Sequence, residues 1–532
     1  MADIALIPFP RQKTLRTGTF HLLPQGRLIA NSSDAAEAAG LLAEYLRPAT
    51  GFSFPMASGV PRPGDIFLEE RGNNTVDEDG FGDESYRVSV TSETVALNAE
   101  NHAGLCRAIQ TLRQLFPPEI YGETIVAGGA WEIPAVEIED GPEYRWRGLH
   151  LDVGRHFFTE AEVCRFIELA AQHKFNRFHW HLTDDQGWRI EIKRYPKLTE
   201  IGAHRAETMV GHDGHDNHRP CHYDGIPYGG FYTQESIRRV IAFAARRGLA
   251  IVPEIDMPGH VQAAVASYPE LGNFPDRPVK VWPQWGASTC VLNMEPATLE
   301  FMKNVLSEVM NLFPSKYIHI GGDEVQHQEW TDNPRIKQCM HDLECPSFDG
   351  LQGNFMAQIA DFLRRHGRFL IGWHDIIKCG VPKDAAVMTY GCAFQEMGGF
   401  KMINVDCSRT YLDHYQGDPR LEPLAFGDWL PLDAAYDFHP APHTLRPELR
   451  SLVLGGQGQV WTEYIPDFRH VEYMTWPRAC ALAERLWCED AECCYGDFLH
   501  RLSFHLRRLD ASTVNYRPWN KDRNIRQGKT SC

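Results

Sequence analysis

The sequence predicts an α/β protein in which a (β/α)8 barrel, the TIM-barrel architecture, follows a smaller α+β domain. From about residue 141, short apolar strands alternate with amphipathic helices over about 340 residues, the pattern of parallel βα units. Polar and aromatic residues recur where these strands end. Before residue 141, apolar residues instead alternate with polar ones, as in half-buried antiparallel strands. We therefore expect an α+β domain at 1–140, the barrel at 141–490 and a helical tail at 491–532 packed on the barrel.

The N-terminal domain is predicted from one hairpin and one helix. Apolar and polar residues alternate over 86–90 and again over 95–97, with a short polar turn between them. Apolar residues then recur at helical spacing from Leu105 to Phe116, and Pro117-Pro118 ends the helix because proline cannot continue it. We find no catalytic constellation in this domain and expect it to act as a scaffold.

The barrel is predicted from seven or eight apolar runs of strand length. A capping box, Thr159 with Glu162, opens the first helix, which runs to about Lys174. Further helices are expected at 236–247, 296–313, 354–366 and 470–488, and at 498–509 in the tail. Strands are expected at 147–153, 175–182, 249–255, 317–320, 369–373, 386–390, 402–406 and 452–455.

Composition narrows the function classes. The chain has 532 residues, of which 43% are apolar and 23% charged, as in a globular protein with a full core. A formal net charge of -17 argues against a nucleic-acid or anionic-membrane surface, because either needs a basic patch. No apolar run approaches the roughly 18 residues of a membrane span. We expect no nucleic-acid or membrane partner, and a homodimer is compatible with the sequence.

The N-terminus and the cysteines favour a cytoplasmic protein without cofactors. Met1–Pro10 has neither a basic segment nor a long apolar one, so no secretory signal is visible. A longer natural N-terminus would make the periplasm or secretion the alternative. The 14 cysteines include no C-x-x-C pair, which favours reduced, buried thiols. We expect no metal either, because the histidine-rich loop 212–222 matches no familiar metal-site spacing.

One stretch, Tyr317–Val325, carries most of the predicted chemistry. Its apolar start is typical of a buried parallel strand, and its two glycines let the carboxyl end bend into a loop. Asp323 and Glu324 can share one cleft there, and paired carboxylates suit proton transfer to and from a sugar or ester oxygen. Taken alone, the two acids could equally be solvated loop residues.

Residues at the other predicted strand ends favour a carbohydrate pocket. In a TIM barrel, catalytic groups lie at the carboxyl ends of the strands. Indole rings stack on the flat apolar faces of sugars, and charged side chains bind the hydroxyls. Each residue alone also has a structural interpretation; His179 and His181, for example, could be core residues. The strand ends carry Asp152, Arg155, His156, Asp184, Asp185, Glu254, Asp256, His260, Trp330, Trp373, His374, Asp375, Tyr411, Asp413, Trp461 and Glu463.

These motifs together resemble glycoside hydrolase family 20, the β-N-acetylhexosaminidases. The segment His319–Glu324 is similar to the family signature H-x-G-G-D-E. Further blocks similar to the family follow in family order at 147–157, 178–185, 253–260, 411–413 and 461–463, and the helix with Ala483-Glu484-Arg485 fits too. The resemblance covers about residues 85–490 and includes the small α+β domain that often precedes the barrel.

The resemblance implies a retaining exo-enzyme that lacks a protein nucleophile. The 2-acetamido oxygen of the substrate would attack C1, and water would open the resulting oxazolinium ion. Glu324 would be the general acid and then the general base, Asp323 would hold the acetamido N–H, and Tyr411 would donate to its oxygen. Asp184 and His260 would form a relay behind the acid. The implied substrate-binding residues are Arg147, Trp330, Trp373, Asp413, Trp461 and Glu463.

The expected substrates carry a non-reducing terminal β-linked N-acetylglucosamine or N-acetylgalactosamine, in chitooligosaccharides or glycans. The preferred sugar, the aglycone and its linkage, release of one sugar or two, and the oligomeric state stay open. Two other functions also stay open. One is a non-catalytic N-acetylhexosamine-binding protein on the same scaffold, and the other is a metal hydrolase built on the histidine-rich loop.

Overall fold

The structure, a computed structural model, describes residues 4–72, 75–212, 222–331, 333–390 and 398–519. Eight parallel strands close a barrel, as the sequence predicts, and this decides the count of seven or eight. The barrel follows a separate N-terminal α+β domain. In chain order, the barrel strands are Trp146–Asp152, Arg177–His181, Ala250–Glu254, Tyr317–His319, Phe369–Trp373, Ala386–Thr389, Lys401–Asn404 and Val453–Gly458.

Parallel pairing runs around the whole barrel, and the first and eighth strands close the ring. Gly148 pairs with Gln457 across this seam, and Glu254 pairs with His319 between the third and fourth strands. Every residue of the first strand is buried, because helices cover its outer face and side chains fill the inside. All eight strands point the same way, so their carboxyl ends meet at one end of the barrel. We call this the C-terminal end and the opposite one the N-terminal end.

Long helices pack on the outside of the barrel after the first four strands and after the eighth. Thr159 and Glu162 form the predicted capping box at the first of them. The helix expected at 470–488 is two helices, because Pro477 lacks the N–H that a continuous helix would need. None of the helices in the described ranges is both long and apolar enough to span a membrane. Outside the N-terminal domain, the helices are Glu160–Gln172, Lys197–Glu200, Gln234–Ala245, Gln262–Ser267, Pro296–Leu312, Gln328–Thr331, Pro334–Asp342, Phe348–Arg365, Cys407–Thr410, Leu432–Tyr436, Pro447–Arg450, Phe468–Thr475, Arg478–Trp487 and Tyr495–Ala511.

Short paired strands and 3-10 turns occur between the larger elements. Paired short strands occur at Thr183–Asp184 with Gly187–Trp188, His204–Arg205 with Tyr228–Gly229, Met209–Val210 with His222–Tyr223, and His414–Tyr415 with Phe426–Trp429. Single 3-10 turns occur at Pro118–Tyr121, Pro269–Leu271, His374–Ile377 and Asp490–Glu492.

A seven-stranded mixed sheet forms the N-terminal domain. The predicted hairpin is the antiparallel pair Tyr86–Val90 and Val95–Ala99 near its centre. Helices Ser33–Thr50 and His102–Leu115 bury their apolar faces in one core with the sheet. In the order of the sheet, the strands are Gln12–His21, Glu132–Asp140, Tyr86–Val90, Val95–Ala99, Ile66–Glu70, Leu28–Ala30 and Met56–Ala57.

The C-terminal helix Tyr495–Ala511 contacts both the barrel and the N-terminal domain. Arg501 donates to Glu484 of the last barrel helix at 2.6 Å, and Arg508 donates to the main-chain carbonyl of Gln114 at 2.7 Å. Both arginines are buried, and hydrogen bonds from a charged donor are stronger than neutral ones. The helix therefore stabilises the contact between the barrel and the N-terminal domain.

Candidate active site

The fourth barrel strand bends into the site through two glycines. Gly321 and Gly322 have φ angles of 62° and 90°, a region that glycine adopts far more readily than other residues. A Cβ atom on Gly321 would lie 1.8 Å from Asp256 Oδ1, so only glycine fits against this carboxylate. The bend places Asp323 and Glu324 at the C-terminal end of the barrel.

Both of these carboxylates approach the same imidazole nitrogen. His260 Nε2 lies 3.8 Å from Asp323 Oδ2 and 3.6 Å from Glu324 Oε2. Glu324 and His260 have φ angles of 47° and 53°, and strained non-glycine residues of this kind cluster at functional sites. Asp323 is buried, whereas the Glu324 side chain is 60% exposed. Glu324 is thus the carboxylate that solvent and a large ligand can reach.

A buried chain of polar groups stands behind His260. His260 Nδ1 lies 3.3 Å from Asp184 Oδ1 and 3.4 Å from Asp185 Oδ2. Asp184 Oδ2 in turn lies 3.0 Å from His181 Nε2. Although burial lowers the pKa of His260, the carboxylate of Asp184 raises it well above its ordinary value. A positive charge is therefore stabilised between Asp184 and the two site acids.

Glu254 is the centre of a second, deeper network. Trp373 Nε1 donates to Glu254 at 2.8 Å, and His319 Nδ1 lies 2.8 Å from the same oxygen. His179 Nε2 lies 3.0 Å from the other oxygen, which also contacts His181. Burial raises the pKa of Glu254, but these histidines outweigh burial and hold it well below its ordinary value. The network joins the second to fifth strands and fixes the ring of Trp373.

The two site acids differ in proton affinity. Burial raises the pKa of Asp323 to about 7, against the opposing charge of His260. The contact with His260 instead lowers the pKa of Glu324 below its ordinary value. Asp323 Oδ1 has no hydrogen-bond partner among the described residues. A buried acceptor without a partner is costly in the free protein and is ready to bind a donor from a ligand.

Aromatic side chains form the wall of a pocket beside Asp323. The rings of Trp373 and Trp461 lie 5.5 Å apart, and Tyr390 stacks on Trp373 at 6.3 Å with 13° between the planes. Burial raises the pKa of Tyr411 well above its ordinary value. Its hydroxyl therefore keeps its hydrogen, which it can donate to a ligand. Tyr390 directly follows the sixth strand but is not among the residues predicted from the sequence.

Arg155, Glu463 and Asp413 add charge around the pocket. Arg155 forms an ion pair with Asp184 at 3.0 Å and lies 4.0 Å from Glu463. Its guanidinium also lies 5.1 Å from the ring of Trp461. Burial raises the pKa of Asp413 well above its ordinary value, and within the described part of the chain its Oδ1 has no hydrogen-bond partner. These groups can bind sugar hydroxyls.

Arg147 lies far from this pocket, so the sugar-binding role predicted for it is wrong. It is the second residue of the first strand and is buried at the N-terminal end of the barrel. Its guanidinium contacts Glu84 of the N-terminal domain and donates to the carbonyls of Lys174 at 3.0 Å and Tyr144 at 2.8 Å. Arg155, which lies three residues beyond the end of the same strand, is the arginine beside Glu463.

Trp330 does not line the pocket either, and this prediction is also wrong. Its side chain is fully buried, and its Nε1 donates to the carbonyl of Leu292 at 2.9 Å. Its ring stacks on His327 at 5.2 Å and contacts Phe348 at 5.9 Å. The chain after Glu324 turns into the short helix Gln328–Thr331, which directs this indole into the core. The predicted residues that do come together are Asp184, His260, Asp323, Glu324, Trp373, Tyr411, Asp413, Trp461 and Glu463.

Two groups of site residues lie close enough to share a cation: Asp184, Asp185 and His260, and Asp256, His260 and Asp323. In the structure, His260 contacts the carboxylates of Asp184 and Asp185 directly. The metal alternative rests on residues 213–221 of the histidine-rich loop, which lie outside the described residues.

A pocket with aromatic walls and convergent carboxylates, at the C-terminal end of a TIM barrel, is typical of an enzyme that acts on carbohydrates. Comparison with known families makes the assignment specific. Residues 144–490 match the model described as glycosyl hydrolase family 20, catalytic domain, and residues 3–141 match its domain 2. The chain belongs to glycosyl hydrolase family 20, which confirms the resemblance seen in the sequence.

Curated relatives named beta-hexosaminidase are similar over most of this chain. The chain is 35% identical to the one from Porphyromonas gingivalis, over 96% of this chain and 64% of that protein. It is also 35% identical to the one from Vibrio furnissii, over 91% of this chain and 76% of that protein. The chain therefore spans slightly less than two thirds of the length of the P. gingivalis relative.

Solved structures show the same fold. The GH20 beta-N-acetylhexosaminidase from Streptomyces coelicolor superimposes with a TM-score of 0.82 at 29% identity, over 97% of this chain and 99% of that one. The GH20 exo beta-N-acetylglucosaminidase from Vibrio harveyi, in complex with N-acetylglucosamine, superimposes with a TM-score of 0.80 at 33% identity. That match covers 97% of this chain and 79% of the other.

Proposed function

We propose that the protein is an exo-acting, retaining β-N-acetylhexosaminidase that works by substrate-assisted catalysis. It removes a non-reducing terminal β-linked N-acetylglucosamine or N-acetylgalactosamine. The observation that carries this proposal is the approach of Asp323 and Glu324 to one nitrogen of His260. Two acids on the same side of a sugar do not provide both a proton donor and a nucleophile on opposite faces of its anomeric carbon. The nucleophile therefore comes from the substrate.

In the first step, the acetamido oxygen of the substrate attacks C1 while Glu324 gives its proton to the glycosidic oxygen. The bond from C1 to the leaving group breaks, and an oxazolinium ion forms. The exposure of Glu324 suits contact with a leaving group outside the pocket. The lowered pKa leaves Glu324 ionised in the free protein. Exclusion of water by bound substrate raises that pKa towards the value a general acid needs, so that Glu324 carries the proton it donates.

Asp323 and Tyr411 position the acetamido group for this attack. Oδ1 of Asp323, which has no hydrogen-bond partner among the described residues, accepts the acetamido N–H, and the carboxylate stabilises the positive charge that develops on the nitrogen. The hydroxyl of Tyr411, whose high pKa keeps it protonated, donates to the acetamido oxygen. Trp373 and Trp461 enclose the group and exclude water.

In the second step, the Glu324 carboxylate takes a proton from water, and the hydroxide oxygen bonds to C1 as the ring opens. Glu324 thereby regains the proton that it lost. Two displacements at C1 give net retention. The charge of His260, stabilised by Asp184, keeps Glu324 ionised for this step.

Arg155, Glu463 and Asp413 bind the hydroxyls of the terminal sugar. Arg155 replaces Arg147 in this role, because it lies 4.0 Å from Glu463 at the pocket, while Arg147 lies at the other end of the barrel. Oδ1 of Asp413, which has no partner within the described ranges, accepts a hydroxyl hydrogen. Groups that use up the sugar's own hydroxyls favour a chain end over an internal sugar, which supports exo action.

The relatives support the substrate class. Two curated relatives at 35% identity carry the name beta-hexosaminidase, and the V. harveyi exo beta-N-acetylglucosaminidase holds N-acetylglucosamine. For this chain the substrate remains part of the proposal.

A panel of 4-nitrophenyl β-glycosides tests the function. The N-acetylglucosaminide or the N-acetylgalactosaminide should be hydrolysed, and the β-glucoside should not, because it lacks the acetamido nucleophile. A thiazoline mimic of the oxazolinium ion should inhibit strongly. Comparable hydrolysis of the glucoside would overturn substrate assistance, and binding of N-acetylglucosamine without any release of nitrophenol would favour a non-catalytic sugar-binding protein.

A further inference from the structure

The mechanism gives no role to the hydroxyl of Tyr390, although this residue lines the same pocket. Its ring stacks on Trp373 at 6.3 Å, directly after the sixth strand. Burial raises the pKa of Tyr390 well above its ordinary value, and the nearby carboxylate of Asp323 raises it further. The hydroxyl therefore keeps its proton and can donate a hydrogen bond from the wall that Tyr390 forms with Trp373.

The hydroxyl of Tyr390 makes a long and therefore weak hydrogen bond. It donates to Asp375 Oδ2 at 3.5 Å, which is at the long limit of a hydrogen bond. The ring of His374 lies 5.9 Å from the ring of Tyr390, and within the described residues its Nδ1 is buried without a partner. This side of the pocket therefore carries polar groups with unused hydrogen-bonding capacity. An acetyl methyl group cannot satisfy them.

We propose that Tyr390 lets the pocket accept 2-acylamino sugars whose acyl group carries a hydroxyl, such as N-glycolylhexosamines, as well as N-acetylhexosamines; this rests on the proposed function. Asp323 and Tyr411 occupy the N–H and the oxygen of the acyl group. Only its terminal carbon is left to face the wall formed by Tyr390 and Trp373. A hydroxyl on that carbon pairs with Tyr390, whereas a methyl leaves Tyr390 with its long bond to Asp375.

The extra hydroxyl takes no part in making or breaking bonds. The acyl oxygen still attacks C1, Glu324 still protonates the leaving group, and water still opens the oxazolinium ion. Tyr390 is therefore a specificity-determining residue, and its effect should appear in the ratio of two substrates more than in the rate with one.

The test compares kcat/KM for 4-nitrophenyl N-glycolyl-β-glucosaminide with that for the N-acetyl analogue. In the wild type, the two values should agree within about tenfold. Tyr390→Phe should lower the glycolyl-to-acetyl ratio about tenfold, the effect of losing one hydrogen bond. Tyr317→Phe is the matched control, because it removes a buried hydroxyl bonded to Asp79 at the N-terminal end of the barrel and should leave the ratio unchanged.

Three results would overturn either the inference about Tyr390 or the proposed function. A wild type that cleaves only the N-acetyl substrate overturns the inference, and so does a Tyr390→Phe variant that loses activity equally on both substrates. A wild type that cleaves neither overturns the proposed function itself. If Tyr390→Phe does not fold, inhibition of the wild type decides: N-glycolylglucosamine should inhibit within about tenfold of N-acetylglucosamine, and no inhibition by the glycolyl sugar overturns the inference.

Discussion

The two ends of the barrel both bury charged residues, but they pair them differently. At the N-terminal end, Arg107 and Arg147 both contact Glu84, and each charge has its partner. At the C-terminal end, Asp323 and Asp413 each keep an oxygen without a hydrogen-bond partner in the described part of the chain. The buried charged groups at the N-terminal end gain their partners when the chain folds. The two carboxylate oxygens at the C-terminal end gain theirs only when a ligand binds.

Proton affinity shows the same difference. Burial raises the pKa of both Glu84 and Asp323. At Glu84 the guanidinium groups of Arg147 and Arg107 outweigh burial and bring the pKa to about 2, whereas at Asp323 burial prevails and the pKa is about 7. Buried carboxylates that the protein itself neutralises are structural, and those that it leaves desolvated are candidates for catalysis.

The largest expected effects follow from changing the two site acids. Glu324→Gln removes the proton donor and should lower kcat with a 4-nitrophenyl N-acetylhexosaminide by roughly 10²–10⁴-fold. Asp323→Asn should lower it by roughly 10²–10³-fold, because the charge on the oxazolinium nitrogen loses its stabilising carboxylate. Steady-state kinetics with a thermal melt of each variant measures both effects.

The melting temperatures of these two variants should not fall, because neither acid stabilises the free protein through a complete set of bonds. A variant at Asp323 with unchanged turnover would rule out substrate-assisted catalysis at this site. If the melting temperature fell as strongly as the activity, Asp323 and Glu324 would be structural residues like Glu84. The two ends of the barrel would then not differ in the role of their buried carboxylates.

The next largest effect shows which arginine binds the sugar. Arg155→Lys keeps the charge but loses the planar fork, and kcat/KM should fall by about 10²-fold, as when a charged hydrogen bond is lost. Arg147→Lys is the matched control. It should keep kcat/KM within about twofold and lower the melting temperature, because Lys cannot reproduce the bonds to Glu84, Lys174 and Tyr144. If Arg147→Lys lowered kcat/KM and Arg155→Lys did not, Arg147 would be the arginine that binds the sugar.

The error over Arg147 shows how far the sequence could predict the site. The barrel was predictable because eight apolar runs alternate with amphipathic helices, and most site residues follow a strand directly. Arg147 lies near the start of its strand and Arg155 lies beyond its end, so the rule that catalytic groups lie at the carboxyl ends of strands already separates the two arginines. Trp330 could not be placed in this way, because it follows its strand by eleven residues and a short helix turns it inward. Tyr390 ends a β-branched and apolar run, and nothing in its type distinguishes it from a core residue.

A smaller effect, on stability alone, is expected at the N-terminal end. Glu84→Gln leaves Arg147 and Arg107 without their counter-charge and should lower the free energy of unfolding by about 3 kcal/mol at pH 7. The folded pKa of Glu84 is about 2, below its ordinary 4.5, so its contribution is complete above pH 4.5 and is lost as the pH falls towards 2. Urea unfolding at a series of pH values should show this loss in the wild type and not in the variant.

Glu143→Gln is the matched control for that experiment. Glu143 pairs with Arg11 at 3.5 Å on the surface, where an ion pair contributes little. Its replacement should leave both the unfolding free energy and its pH dependence almost unchanged. A large loss of activity per folded molecule in Glu84→Gln would show that the two ends of the barrel are coupled.

The smallest effect concerns the two indoles that the sequence could not tell apart. Trp330 is fully buried and bonded to Leu292, whereas Trp461 is partly exposed beside Tyr411 and Trp373. Trp461→Phe should raise KM for the N-acetylhexosaminide by roughly three- to tenfold, because part of the ring contact with the sugar is lost. Trp330→Phe should leave KM unchanged and lower the free energy of unfolding by about 1–2 kcal/mol, through the lost hydrogen bond and ring atoms. If both variants raised KM alike, the wall of the pocket would extend to Trp330, and its hydrogen bond to Leu292 would not mark it as a core residue.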